Sequence, residues 1–338
     1  MSLEEYLQRY LPELDRELRR AVDELSSGPP ELDLMLRYHL GWVDEQGEPT
    51  DAGSGKRVRP VILLLCAEIA GGDWRQALPA AAAIELVHNF SLIHDDIEDD
   101  SPLRRGRPTL WKVWGRASAI NAGDAMFALA HLELWRLTEV GVCADRVLEA
   151  WRLFERTNLA LTRGQHLDMA FERRSNVSVE EYLEMIAAKS AALIAASAQV
   201  GAVVGGAPPA ESTQYGVFGH SLGMAFQVRD DILGVWGDPD VTGKSAATDI
   251  MSRKKSLPIL YGLSCSPELA AIFSRPHGGE GELARAVAAL DAVGARGFAE
   301  GYESRYFQEA FGAFRAFGTG AAGGALSELV ALLFGRRF

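Results

Sequence analysis

The sequence predicts an almost wholly α-helical protein, and three observations lead there. Apolar residues recur at three- and four-residue spacings through most long segments, as in YLEMIAAKSAALIAASAQVGAVVGG (182–206) and LARAVAALDAVGARGFAEGYESRYFQEAFGAF (283–314). Runs of alternating or β-branched residues are scarce. Clusters of helix-ending residues interrupt the periodicity at 26–33, 44–56, 205–211, 237–244, 274–282 and 318–324. None of these breaks has the length of an interdomain linker, so a single domain over 1–338 is expected.

Composition narrows the function classes. A chain of 338 residues with 48% hydrophobic content can bury a large core. A net charge of -12 argues against a general nucleic-acid binder, because affinity for a phosphate backbone comes mainly from Lys and Arg. An anionic ligand stays open through local basic residues, or through metal ions held by the surplus carboxylates. Cys66, Cys143 and Cys265 are odd in number and far apart, which suggests neither a disulfide framework nor a zinc site and fits a reducing cytoplasm. The N-terminal MSLEEYLQRYLPELDRELRR is acidic and amphipathic without a signal-peptide apolar run. No later stretch reaches about eighteen uninterrupted apolar residues, so a soluble protein without a transmembrane segment is expected.

Taken in chain order, the first chemically loaded element is a helix over 84–99. Ile84, His88, Ser91, Asp95 and Asp99 recur at helical spacing on one face, while Leu86, Val87, Phe90, Leu92 and Ile93 fill the others. An isolated acid run is usually a solvated face. A narrow polar stripe on a helix apolar around most of its girth instead suggests the border of an internal cavity. Asp95 and Asp99 sit one turn apart, so their oxygens can converge on a hard cation such as Mg2+. Further on, FQVRDDILGVWGD places Phe226, Gln227, Asp230 and Asp231 before a glycine-marked end. Two acid pairs on different helices, each near Lys or Arg, suggest opposing walls that share metal ions with a diphosphate. Such ions would stabilise a departing diphosphate, and the resulting cation needs a dry apolar cavity.

Basic residues suggest a second anion site. GSGKRVRP (53–60) offers Lys56, Arg57 and Arg59, and Arg104 and Arg105 follow the first acids. By itself GKRVR is more often an exposed basic turn, and GxGK without the rest of a P-loop says little about nucleotides. Lys189, in an otherwise apolar helix, reads as a snorkelling side chain or an anion contact. Lys244, Lys254 and Lys255 could equally form a solvated basic loop.

Together these motifs resemble the trans-isoprenyl diphosphate synthases, the polyprenyl synthetase family. GKRVRP, ELVHNFSLIHDDIEDDSPLRRGRPT, INAGDA, GQHLDM, KSAAL, FQVRDDILGVWGD and GKSAATDI follow the family's order. The resemblance implies an isoprenoid-synthase-type helical barrel around a deep central cavity, working as a homodimer. It implies Mg2+-dependent head-to-tail condensation of isopentenyl diphosphate with dimethylallyl, geranyl or farnesyl diphosphate. The allylic diphosphate ionises, the isopentenyl double bond attacks the cation, and the released diphosphate takes the proton. Asp95 and Asp99 would be the principal metal ligands, Asp96 would support them, and Asp230 would hold a third Mg2+ with Asp231 nearby. Arg104, Lys189, Lys244 and Lys254 would contact the allylic diphosphate. Lys56, Arg59, His88 and Arg105 would hold isopentenyl diphosphate. Ser190 stands where threonine is usual, and Gln227 would lie near the reacting carbons with Phe226.

Two departures and one length signal complete the reading. Gly234 replaces the third acid of the second motif, which is expected to weaken metal binding while activity survives. Trp111 stands where histidine is common and receives no catalytic role; Arg336 and Arg337 offer either a closing tail or a frayed end. Phe90 and Ser91, five and four residues before Asp95, resemble a class of geranylgeranyl diphosphate synthases, so a C20 product is expected with C15 and C25 as neighbours. The alternative reading of Phe90 is ordinary helix packing. Rival functions are a class I terpene cyclase, which needs no isopentenyl site, and a non-catalytic partner subunit, which needs no intact acid pairs.

Overall fold

The computed structural model describes residues 1–25, 28–50, 55–174, 176–237, 248–275 and 280–335. In order, these form α1 (Leu3–Asp23), α2 (Pro30–His39), α3 (Val58–Ile69), a 3-10 turn (Trp74–Ala77) and α4 (Leu78–Glu98). A hairpin of β1 (Leu103–Arg104) and β2 (Arg107–Pro108) follows, then α5 (Leu110–Trp114), α6 (Arg116–Trp135), α7 (Ala144–Arg173) and α8 (Val179–Ile186). A π turn (Ala187–Ala191) leads into α9 (Ala192–Gly205) and α10 (Pro209–Trp236). The remainder is α11 (Thr248–Met251), α12 (Leu257–Cys265), α13 (Pro267–Phe273), α14 (Glu280–Ala292), α15 (Ala295–Phe314) and α16 (Gly320–Phe334). Among the described residues the hairpin is the only sheet, so the fold is all-α.

Local chemistry accounts for the boundaries. α1 starts in a capping box, with Ser2 Oγ accepting from the Glu5 N–H and Glu5 accepting from the Ser2 N–H. Its buried stripe Leu3, Tyr6, Tyr10, Leu14 and Leu18 explains the amphipathic N-terminus. The helical periodicity over 283–314 is carried by two helices, because Gly294 takes φ 70 between α14 and α15. The predicted break at 318–324 is shorter than expected, since α16 begins at Gly320. The stretch Val179–Gly205 is long and apolar enough to span a membrane by length and composition, but Lys189 interrupts it and 61% of its apolar window is buried in the protein.

Contacts divide the chain into two compact units. One contains Met1–Asn158, Ala196–Gly216 and Phe317–Glu328; the other contains Leu159–Ala195, Val217–Ala316 and Leu329–Phe338. In the first unit α4 is buried around most of its circumference and packs chiefly along α6, with α3 and α1 also against it. In the second, Tyr182, Met185, Met224, Val228, Leu257 and Leu260 pack together. A neighbouring cluster there joins Val235, Ile250, Ile259, Leu269 and Leu290.

Candidate active site

The first acid cluster stands at the C-terminal end of α4. Asp95 is half-buried, Asp96 is 3% exposed, and Asp99 is the exposed C-cap residue whose N–H donates to the Asp95 carbonyl at 2.9 Å. The hairpin then returns Arg104 to these acids. Its two-residue loop, Arg105 and Gly106, has φ 52 and 76, the double positive φ of a type I′ turn. Arg104 Nε donates to both Asp96 oxygens at 2.8 and 2.9 Å, and Nη2 lies 3.5 Å from Asp95 Oδ2. Asp96, expected as a supporting metal ligand, is the residue that anchors Arg104. Burial raises its pKa, and Arg104 opposes the shift. Arg107 fastens the hairpin by donating to the Val43 carbonyl at 2.7 Å and stacking on Tyr38. Trp111 donates to the Ser101 carbonyl at 2.9 Å.

The expected isopentenyl residues gather in the same unit. Arg59 Nη1 lies 3.2 Å from His88 Nε2. Burial, and then the charges of Arg59, Arg105 and Arg104, hold His88 well below the ordinary histidine range, so its ring is neutral and accepts from Arg59. The Arg105 guanidinium lies over Gly55, 2.9 Å from where a Cβ would stand, and Lys56 is exposed next to it. Arg57 differs from its neighbours: its Nη1 donates to Glu85 Oε1 at 2.6 Å inside the core, where Asn89 also donates to Glu85 at 3.0 Å.

His39, which no motif marked, is also neutral. Burial and the charges of Arg105, Arg104 and Arg57 bring it down to about 3. An unfolded histidine takes up a proton as the pH falls through about 6.5, whereas these rings do not, so stability is complete above that range and is lost on acidification. For His39 alone the loss between about pH 6.5 and 5 is on the order of 2 kcal/mol. Urea midpoints are expected to fall across this interval, and His39→Gln should flatten the decline; a flat profile in the parent protein would show that the ring is not held neutral.

In the second unit, neighbouring residues of α10 diverge by a helical step: Asp230 is exposed, whereas Asp231 is 1% exposed. Tyr182 Oη donates to Asp231 Oδ2 at 2.5 Å, the Leu257 N–H to the same oxygen at 3.2 Å, and Gln227 Nε2 to Oδ1 at 3.0 Å. Ser190 Oγ in turn donates to Gln227 Oε1 at 2.6 Å. The structure thus brings Ser190, Gln227 and Asp231 together, with Phe226 half-buried one residue before Gln227. Burial pushes Asp231 up to about 7, against the Lys254 charge and the Tyr182 and Gln227 hydrogen bonds. Asp231 thus accepts two hydrogen bonds on Oδ2 and one on Oδ1 from this unit.

Lys189 sits in the π turn, a helix defect common at functional sites. Its Nζ lies 2.5 Å from Asp168 Oδ2. α7 approaches this turn only because residue 164 is glycine; a Cβ there would come within 2.7 Å of the Lys189 Cα. Lys254 lies in the field of Asp249, Asp231 and Asp168, which outweighs burial and keeps its pKa above the ordinary lysine value. Lys255 is turned elsewhere: its Nζ donates to the Phe171 carbonyl at 2.6 Å, at the C-terminal end of α7. Lys244, Arg336 and Arg337 lie outside the described residues. Asp168, Asp249, Tyr182 and His39 are the residues sequence reasoning passed over. The first two stand inside GQHLDM and GKSAATDI, whose acids carried no assignment, while Tyr182 and His39 carry no local signal.

Below the first cluster, the Phe90 ring packs on His94 and on Phe127 of α6, each at 4.8 Å between centroids. Phe127 continues to His131 at 4.4 Å, and His131 to Phe154 at 5.3 Å. Ser91 donates to the His88 carbonyl at 2.8 Å.

Among the described residues no group of three His, Cys, Asp or Glu side chains is arranged as a metal cage. Asp95 and Asp99 nevertheless suit Mg2+, which takes few carboxylates and completes its shell with phosphate oxygens and water. An all-α chain with acid pairs on α4 and α10, each accompanied by guanidinium or ammonium groups, is equipped to hold metal-bound diphosphates, and its similarities define it as a prenyltransferase. The chain belongs to the polyprenyl synthetase family, whose model matches residues 42–290. It is 42% identical over 299 residues to a (2E,6E)-farnesyl diphosphate synthase of Mycobacterium tuberculosis, covering 86% of this chain and 80% of that protein. A geranylgeranyl diphosphate synthase of the same organism is 41% identical over 263 residues, covering 77% and 73%. The crystal structure of a polyprenyl synthetase from Streptomyces coelicolor superposes with a TM-score of 0.86 at 37% identity, covering 97% of this chain and 98% of that one. The chain is accordingly a short-chain prenyl diphosphate synthase, which joins isopentenyl diphosphate to an allylic diphosphate.

Proposed function

We propose that this synthase makes geranylgeranyl diphosphate, C20, by Mg2+-dependent head-to-tail condensation. The observation that carries condensation is the pairing of Arg59 with neutral His88, close to Arg105, in addition to the Arg104–Asp95–Asp96 group. Two anion-binding groups serve two diphosphates, whereas a cyclase needs one. Bound Mg2+ would neutralise the departing diphosphate. Asp95, Asp99 and Asp230 would hold the metal; Asp96 would aim Arg104. Arg104, Lys189, Lys244 and Lys254 would bind the allylic diphosphate, and Lys56, Arg59, His88 and Arg105 isopentenyl diphosphate. Gln227, held by Ser190 and Asp231, would border the reacting carbons with Phe226. One domain over 1–338 performs the reaction, in the cytoplasm and as a homodimer. The homodimer is supported by exposed Ile120, Leu132 and Trp135 on α6 and Leu148 on α7, apolar side chains that a second copy would cover.

The length assignment rests on Phe90, whose ring is backed by Phe127 and His131. Purified protein with Mg2+, isopentenyl diphosphate and dimethylallyl, geranyl or farnesyl diphosphate is expected to stop at C20 in mass spectra. Hydrocarbon from the allylic substrate alone would indicate a cyclase, and no turnover would indicate a partner subunit. Phe90→Ala should shift product to C25 and beyond; an unchanged C20 would remove Phe90 as the floor.

A further inference from the structure

Position 234 reads as a lost acid in the second motif, but the structure shows its space to be taken. A Cβ built on Gly234 would lie 2.5 Å from Asp249 Oδ2, 2.6 Å from Cγ and 2.7 Å from Oδ1. Any side chain at 234 would displace the Asp249 carboxylate from where it stands, because real Cβ atoms do not approach so closely. Asp249 comes from α11, outside the motif, and its backbone carbonyl accepts from the Lys254 N–H at 2.9 Å. Between them Arg253 takes φ 57, turning the chain back so that Lys254 remains beside α11 while Lys255 leaves for the end of α7.

We propose that Gly234 is the seat of Asp249, and that Asp249, supplied from α11 in place of the motif's third acid, is the positioning residue for Lys254. Three carboxylates act on the Lys254 ammonium: Asp249, Asp231 and Asp168. Asp231 is bonded to Tyr182, Gln227 and Leu257, and Asp168 to Lys189. Asp249 is the one of the three whose carboxylate lies over Gly234 of α10. Restoring the third acid by Gly234→Asp should therefore damage the site, since it evicts Asp249.

The inference rests on the reading of Lys254 as an allylic diphosphate contact, and the test separates the two. Unreactive allylic thiolodiphosphate with Mg2+ is titrated calorimetrically, and KM is measured for each substrate. Parent protein that fails to bind the allylic probe would sink the functional reading. Given parent binding, Asp249→Asn and Gly234→Asp are each expected to weaken the probe by about tenfold or more, the scale of a disturbed charge contact. KM for the allylic substrate should rise correspondingly, while KM for isopentenyl diphosphate should hold within about twofold, a difference well under 1 kcal/mol. Gly234→Asp combined with Asp249→Ala, which moves the acid into the motif and removes the collision, should recover most of the binding. Gly234→Asp binding as tightly as the parent, or Asp249→Asn leaving both affinity and allylic KM unchanged, overturns the inference. Should Gly234→Asp fail to fold, the nearly isosteric Asp249→Asn decides alone.

Discussion

Replacing Asp95 with alanine is expected to lower turnover by at least about 10²-fold, the scale of losing one preorganised stabiliser of developing charge, while secondary structure and thermal unfolding stay close to the parent's. The reason lies in how differently α4 treats its two adjacent acids. Asp95 is half-buried at the helix end, and Arg104 reaches it only at 3.5 Å. Asp96 is buried and carries the two short bonds from Arg104 Nε, so the hairpin keeps its anchor when Asp95 is shortened. Removing Asp95 therefore subtracts a carboxylate from the site while Arg104 keeps its bonds to buried Asp96. Steady-state assays with isopentenyl and geranyl diphosphates, beside circular dichroism of the same preparation, check both halves. Full activity would show that the carboxylate takes no part in binding the metal.

That contrast also shows what a linear reading can and cannot reach. Helical spacing identified the polar stripe on α4, and the breaks around 205–211 and 44–56 fall where α9 and α3 are bounded. Spacing also lined up Asp95 and Asp99, but Asp99 proves to be the helix cap. Nothing local revealed that a type I′ turn at Arg105 and Gly106 would bring Arg104 back to Asp96, because the partners of a charge depend on where the chain reverses. Arg116, likewise, comes back from the start of α6 to pair with Asp100. The choice between Lys254 and Lys255 depended on the positive φ at Arg253, which no periodicity encodes. Conversely, Asp230 and Asp231 are adjacent and therefore about 100° apart on a helix. Their opposite fates, one exposed and one buried, follow from that geometry once the buried face of α10 is known.

The GKRVR segment, which carries the proposed isopentenyl contacts Lys56 and Arg59, contains the largest expected stability effect. Arg57 sits between Lys56 and Arg59 in sequence, yet it points into the core at the start of α3, with φ 49, to meet Glu85 on α4. Arg57→Met should destabilise the protein by about 3–5 kcal/mol, because it leaves a carboxylate buried with Asn89 as its remaining side-chain donor. Most of that loss belongs to the stranded charge rather than to the ion pair, since a buried pair gains little net free energy over neutral groups of similar shape. Adding Glu85→Gln to Arg57→Met removes the charge and keeps an oxygen for Asn89, so the double variant should regain most of the stability lost by the single one. Urea unfolding of the parent, both single variants and the double variant gives the coupling directly. If Arg57→Met unfolds at the parent's midpoint, or the double variant is as weak as the single, the stranded-charge account fails. If it holds, the GKRVR segment divides its labour by direction: Arg57 locks the backbone into the core at the start of α3, two residues before Arg59 meets His88.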